Sequence, residues 1–207
     1  MCKLSIFVSL QSFSSYSAGI LAQEKTHSAE QQLALLGSVG IPVEDKPKSQ
    51  LAIPEKSHIR SSKLPFALIH PIAAFATKQW ATENFAEIAE FLVQKGLQVV
   101  AVGTKKERQT LDKLHQFSQI PIQTYDNLTL PQITNLASRA KIFVGNDSGI
   151  AHIAAAVKTP SVVIFGSSNR AHWSPWTDAP HSLFMKNSLV SRVRVMSAMN
   201  LANHAVF

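Results

Sequence analysis

From residue 66 onward, short apolar runs alternate with segments whose hydrophobic residues recur at helical spacing. Phe66-Ala-Leu-Ile-His70 is closed by Pro71, a pattern that predicts a short buried strand. Phe85, Ile88, Ala89 and Leu92 then share one helical face, and the helix they predict ends at Gly96. Leu97–Val102 reads as a second strand, closed by Gly103, and a charged helix over about 105–117 leads to a strand at Ile120-Pro-Ile-Gln-Thr124. A helix over 130–139, a strand over 141–145, a helix over 149–157 and a strand over 161–165 complete the series. Such alternation predicts an α/β fold, a Rossmann-like parallel sheet with helices on both faces. In these sheets ligands bind beyond the carboxyl ends of the strands. The loops of interest are therefore 70–82, 103–106, 125–130, 145–149 and 166–176.

Upstream of residue 66 the pattern changes. Gln31-Gln-Leu-Ala-Leu-Leu36, followed by Gly37, predicts a short helix. Residues 41–65 are rich in Pro, Lys and Ser and read as a linker. No charge appears between Lys3 and Glu24, but six serines and two glutamines interrupt that stretch. A membrane span needs roughly 20 predominantly apolar residues, so none is expected here; a signal peptide stays an open alternative.

Composition adds limits. With 207 residues, 45% of them hydrophobic and 16% charged, the chain can bury a substantial core, and disorder as a class is excluded. A single cysteine, Cys2, excludes a disulfide framework and fits a reducing compartment. The net charge of +7 favours acidic partners, with general basicity as the plain alternative, since no dense Lys/Arg block occurs.

The stretch Val144-Gly-Asn-Asp-Ser-Gly149 carries the chemistry. It joins a predicted strand to an alanine-rich predicted helix. Gly145 and Gly149 permit close backbone approach. Asp147 or Ser148 can cap the helix, and the free N–H groups of its first turn attract an anion such as a diphosphate. A plain N-cap is the structural alternative. A carboxylate at Asp147 repels phosphate but suits the hydroxyls of a sugar beside it, so the combination points to a nucleotide sugar. His152 lies one turn into this helix, where a satisfied core histidine is the commoner outcome. Lys78 follows a strand end; a Lys–phosphate pair at about 4 Å is worth roughly 4 kcal/mol before desolvation, at an effective dielectric near 20. A solvated surface lysine is the alternative, and Trp80 reads as core packing. No G-x-G-x-x-G, P-loop or G-x-S-x-G motif occurs, and the histidines show no paired metal spacing.

These residues resemble glycosyltransferase family nine, the lipopolysaccharide heptosyltransferases. The resemblance runs through Leu68-Ile-His-Pro71, Lys78-Gln-Trp80, Val144-Gly-Asn-Asp-Ser-Gly-Ile-Ala-His152, Phe165-Gly166 and Trp173-Ser-Pro-Trp176, over roughly residues 27–176. It implies the C-terminal, donor-binding half of a two-domain GT-B enzyme. Residues 1–60 would be a remnant of the acceptor-domain end and a linker, 61–185 the nucleotide-sugar-binding domain, and 186–207 a divergent tail. By motif position Lys78, Leu128, Asp147, Ser148, Gly149 and His152 would bind the donor: Asp147 the sugar hydroxyls, Ser148 and Gly149 the phosphates with Lys78 neutralising them, and Leu128 the base. His152 matches the motif histidine without an assigned role. The implied reaction is inverting transfer of a sugar, typically heptose from ADP-heptose, to a lipid A–core acceptor, with no cofactor and no metal. No catalytic residue is identified; the general base is expected in the other domain. A non-catalytic nucleotide-sugar-binding module is the alternative. Nucleic acid is not an expected partner, membrane contact is expected to be at most peripheral, and the expected location is cytoplasmic, at the inner face of the inner membrane. The sequence departs from the family pattern at Ile72, Ala73 and Ala74, and at Gly166-Ser167-Ser168, where the family has Gly-Pro-Thr; each departure predicts weaker phosphate contacts.

Overall fold

The computed structural model of the chain describes residues 26–55, 59, 64–186 and 194–199. They fall into two compact units, one of residues 26–47 with Ala171–Ser174, the other of Lys48–Arg170 with the described residues from Pro175 onward. The first unit holds helix α1, Ser28–Ser38. His27 supplies its N-cap: Nδ1 accepts from the Ala29 N–H at 3.0 Å while Nε2 donates to the Ser174 carbonyl at 2.6 Å. Histidine is not among the usual capping residues, which is why the helix begins three residues before the predicted start. Leu36, Val39 and Ile41 at its end are exposed.

In the second unit, strands β1 (Phe66–His70), β2 (Gln98–Val102), β3 (Gln123–Tyr125), β4 (Ile142–Asn146), β5 (Ser161–Phe165) and β6 (His181–Met185) form one sheet in the order β3-β2-β1-β4-β5-β6. Every pairing is parallel. Helices α2 (Thr82–Gln94), α3 (Arg108–Phe117), α4 (Leu130–Arg139) and α5 (Gly149–Ala156) connect the first five strands. A short helix, α6 (Arg170–Trp173), of which Ala171–Trp173 belong to the first unit, precedes β6 in the chain, and residues 194–199 form a further helical turn, α7.

Alternate strand residues feed two cores. Ala67, Ile69, Val99, Ala101, Val144 and Ile164 pack with Phe85, Ile88 and Leu92 of α2 and Leu111 and Leu114 of α3. Leu68, Val100, Phe143, Val163 and Phe165, on the opposite face, pack with Leu136 of α4 and Ala151 and Ala154 of α5. Burial on both faces makes the strands continuously apolar. The expected α/β, Rossmann-like class is the observed one.

Three local expectations shift. The charged helix over 105–117 divides into a 3₁₀ turn, Lys105–Glu107, and α3. Pro121 cannot donate to a ladder, so β3 starts at Gln123 rather than Ile120. Strand β6 lies beyond the last predicted strand, on a half-buried sheet edge that needs no strong apolar pattern. The expected divergent tail contributes Val195 and Met199 to the first core. Part of the predicted linker is docked: Ser49 donates its N–H to the Trp176 carbonyl (2.9 Å), Leu51 to that of Ala156 (3.2 Å), and Asn135 Nδ2 bonds the Pro54 carbonyl (3.1 Å). The uncharged stretch from Lys3 to Glu24 lies outside the described residues. Among those described, no helix is long and apolar enough to cross a membrane.

Candidate functional site

Strands β1 and β4 are neighbours whose connections leave in opposite directions across the sheet, β1 toward β2 and β4 toward β5. At such a reversal, beyond the carboxyl ends of the strands, open α/β sheets generally bind their ligands. His70 ends β1 opposite Gly145, and Asn146 ends β4 opposite Ile164 of β5. Gly145 is required here by space, because a Cβ would overlap the Phe143 ring and the His70 carbonyl oxygen.

The β1–α2 loop crosses this point and brings Lys78 to Asp147, with Nζ 3.1 Å from Oδ2. Ser168, in the turn after β5, donates its hydroxyl to the same oxygen at 2.6 Å. Asp147 is 7% exposed and Lys78 27%, so the pair is largely removed from water, and removing either partner would strand a charge. The loop that carries Lys78 is fixed at both ends. The Trp80 N–H donates to Asn146 Oδ1 (2.9 Å). The Ser167 N–H donates to the Thr77 carbonyl (3.2 Å) and the Ser167 hydroxyl to Thr77 Oγ1 (2.9 Å). Gly166 makes that contact feasible, since a Cβ there would overlap the Thr77 carbonyl and the Lys78 Cα. Trp80 is buried and packs edge-on against Phe85, with centroids 5.2 Å apart, as core packing requires.

Helix α5 begins two residues after Asp147. Its N-cap, Ser148, makes no capping hydrogen bond, and among the described residues its buried Oγ finds no partner. Asn146 is fully buried, and its Nδ2 is likewise unpartnered. Orphan buried polar groups are rare and costly; here two lie two residues apart at one strand–helix junction. Gly149, the first helical residue, has nothing within 4 Å of where a Cβ would stand, so its missing side chain leaves open space before the helix.

The structure therefore gathers Lys78, Asp147, Ser148 and Gly149 at one corner. His152 is half-buried one turn into α5, and Leu128 is half-buried in the β3–α4 loop, packed against the second core and on the far side of β2 and β1 from Asp147. The departures from the family pattern have structural uses. Ile72 is buried beside Gly103, where a Cβ would meet its Cδ1. Ser167 and Ser168 hold the lysine loop and the carboxylate. Asn146 and Ser168, which the structure brings to the same corner, carry no motif signal of their own: Asn146 stands next to Asp147, and Ser168 reads only as a lost contact. His70 Nδ1 bonds the Val102 carbonyl at 2.9 Å. Burial holds its imidazole below the ordinary value of 6.5, against the opposite pull of that carbonyl and of Glu107. Among the described residues no group of three or more His, Cys, Asp or Glu could hold a metal ion.

The chain matches the sequence model of glycosyltransferase family 9 (heptosyltransferase) over residues 9–200. It is 30% identical over 171 residues to lipopolysaccharide heptosyltransferase 3 of Escherichia coli K12, an alignment covering 74% of this chain and 48% of that protein. With lipopolysaccharide heptosyltransferase 2 of Salmonella typhimurium it shares 34% identity over 115 residues, 53% of this chain and 33% of that one. Its fold is similar to that of the E. coli ADP-heptose lipopolysaccharide heptosyltransferase II, with a TM-score of 0.67 at 23% identity, covering 78% of this chain and 55% of that chain. The chain spans about half the length of the E. coli heptosyltransferase 3 that it matches.

Proposed function

The chain belongs to glycosyltransferase family 9, the heptosyltransferases, and from that premise we propose that its α/β unit is the donor-binding half of an enzyme that moves a sugar from a nucleotide diphosphate to a lipopolysaccharide core. The observation that carries the reading is the junction of β4 and α5, where an uncapped helix start, the unpartnered Ser148 hydroxyl and the Lys78–Asp147 pair meet at the switch point of the sheet. In this reading the diphosphate sits before Gly149 and Ser148, where the helix dipole and backbone donors favour negative charge. The sugar lies against Asp147, Lys78 turns toward the phosphates, Leu128 flanks the base, and His152 faces the site from the first turn of α5. This reading keeps the expected nucleotide-sugar-binding domain over 61–185.

Transfer proceeds by attack of an acceptor hydroxyl on the anomeric carbon as the bond to the diphosphate oxygen breaks, inverting that centre. The leaving diphosphate gains negative charge, and donors fixed in advance at α5 and Lys78 stabilise it where it develops. The proton passes from the acceptor hydroxyl to a general base within hydrogen-bond reach. We assign that base to protein outside this unit, and ask no metal or cofactor of the reaction. Donor and lipid A–core acceptor would meet at the cytoplasmic face of the inner membrane. The shared length of only about half the E. coli relative also keeps a second reading, a nucleotide-sugar-binding module without turnover.

Calorimetry with ADP and ADP-heptose tests the site. ADP-heptose is expected to bind the wild-type chain, and Asp147→Ala to weaken ADP-heptose about tenfold more than ADP, the loss of roughly 1.4 kcal/mol. No heat at millimolar ADP-heptose, or equal losses for both ligands, would remove the carboxylate from its role. Turnover with a truncated core acceptor separates the enzyme from the binding module.

A further inference from the structure

The turn after β5 touches both charged members of the site. Ser168 is buried, at 8% exposure, and places its hydroxyl 2.6 Å from Asp147 Oδ2, the same oxygen that Lys78 approaches. Two donors converge on Oδ2, while Oδ1 accepts from none of the described residues. A carboxylate with both oxygens free can rotate about its Cβ–Cγ bond; one whose Oδ2 is held from two directions cannot. Lys78 alone would not achieve this, because a lysine drawn toward a diphosphate loosens its hold on Asp147. Ser168 stays, since its turn is anchored through Ser167 and Gly166 rather than through the ligand.

We propose that Ser168 is a positioning residue that fixes the Asp147 carboxylate through Oδ2, so that Oδ1 is presented to a hydroxyl of the donor sugar whether or not Lys78 remains in the ion pair. The inference rests on the donor-site reading above. It gives the Gly166-Ser167-Ser168 turn a role in sugar selection: the nucleotide is held by the helix start, and the sugar is distinguished by an acceptor oxygen whose direction is set in advance. A hydroxyl is needed at position 168. A methyl group in its place leaves Oδ2 dependent on the lysine.

The test is calorimetry on the full chain with ADP-heptose and ADP, for wild type, Ser168→Ala and Ser168→Thr, with urea unfolding of each. Ser168→Ala is expected to weaken ADP-heptose about tenfold, corresponding to roughly 1.4 kcal/mol, and to leave ADP within about twofold, or roughly 0.4 kcal/mol on the same scale. Ser168→Thr, which keeps the hydroxyl, is expected to restore ADP-heptose affinity. Wild-type affinity in Ser168→Ala, equal weakening of both ligands, or a threonine variant no better than alanine would overturn the positioning role while leaving the donor site intact. A wild-type chain that binds ADP but does not prefer ADP-heptose overturns sugar recognition and this inference with it, and one that binds neither ligand overturns the donor-site reading itself.

Discussion

Three strand-to-helix turns at the same edge of the sheet treat their helix starts in two opposite ways. After β3, Thr129 and Gln132 close a capping box on α4: the Thr129 N–H donates to Gln132 Oε1 at 2.9 Å, and the Gln132 N–H to Thr129 Oγ1 at 3.4 Å. After β2, Thr104 and Glu107 do the same, with the Thr104 N–H 2.8 Å from Glu107 Oε2. After β4, the residue in the capping position, Ser148, has the right side chain and does not use it. The first two turns satisfy themselves and stay exposed. The third keeps buried polar groups unspent, and its one carboxylate is held by residues from two other loops. A turn that fails to cap itself although its sequence could is a stronger mark of a ligand site than the motif alone.

The comparison breaks most severely at Gly166. Gly166→Ala is expected to force the β1–α2 loop away from β5, because the overlapped atoms are backbone and cannot rotate aside. The cost of such overpacking is about 3 kcal/mol, and with it the placement of Lys78, so both urea stability and ADP-heptose binding should fall. Stability within about 0.5 kcal/mol of wild type, the range of an ordinary surface substitution, would show that the two loops are not braced against each other.

His70 tests the closed side of the sheet, since it ties the end of β1 to the end of β2 through the Val102 carbonyl. Its pKa is depressed in the folded chain by burial. The unfolded chain therefore binds a proton first as the pH falls. The contribution is complete above the ordinary value of 6.5 and is lost progressively as the pH drops from there toward the folded pKa, by up to about 1.4 kcal/mol per pH unit. His70→Asn retains a donor near the Val102 carbonyl without titrating. Urea unfolding at several values between pH 7 and pH 5 should show a flatter pH dependence in the variant; an unchanged slope would mean that the proton goes elsewhere.

How far these features were legible follows from the physics of each. The two-face alternation of β1, β2, β4 and β5 was readable because doubly buried strands leave almost no polar positions. Asp147, Ser148 and Gly149 were readable because they are consecutive. Their relation to Lys78 was expected only through a shared ligand, whereas the structure joins Lys78 to Asp147 directly across 69 residues of sequence. Ser168 was invisible as a partner for the same reason: serines in a surface turn are common, and only the sheet order places this one against β4. The capping role of His27 escaped because it depends on a tautomer locked by the Ser174 carbonyl. Strand β6 escaped because pairing to β5, rather than its own pattern, defines it.

A direct exchange sharpens the contrast between turns. Thr129→Ala removes a working cap and should cost about 1 kcal/mol of stability, with ADP-heptose binding unchanged. Ser148→Ala removes a hydroxyl that has no partner, so stability should hold or rise slightly, while ADP-heptose affinity falls. Parallel urea and calorimetric measurements on the two variants check the opposite outcomes. If Ser148→Ala destabilised as much as Thr129→Ala and bound normally, the β4–α5 turn would be an ordinary cap after all.

The smallest effects lie at the two ends of α5, where the same distinction recurs within one helix. At its carboxyl end the chain closes on itself: Lys158 adopts a left-handed φ of 64°, its N–H reaches the Ala155 carbonyl at 3.0 Å, and the Thr159 N–H reaches that of Ala154 at 2.9 Å. That conformation favours glycine, so Lys158→Gly should raise stability by about 0.5 kcal/mol, and because no ligand is involved there, binding should be unaffected. At the amino end Gly149 occupies a helical position with open space in front, so Gly149→Ala should also raise stability by about 0.5 kcal/mol, by restricting the unfolded chain. Its new methyl group, however, would stand where the diphosphate approaches, and ADP as well as ADP-heptose should bind more weakly. Two substitutions of similar size and similar effect on folding would then differ only in ligand affinity. Equal, wild-type affinities for both variants would show that the space before Gly149 is not where the donor sits.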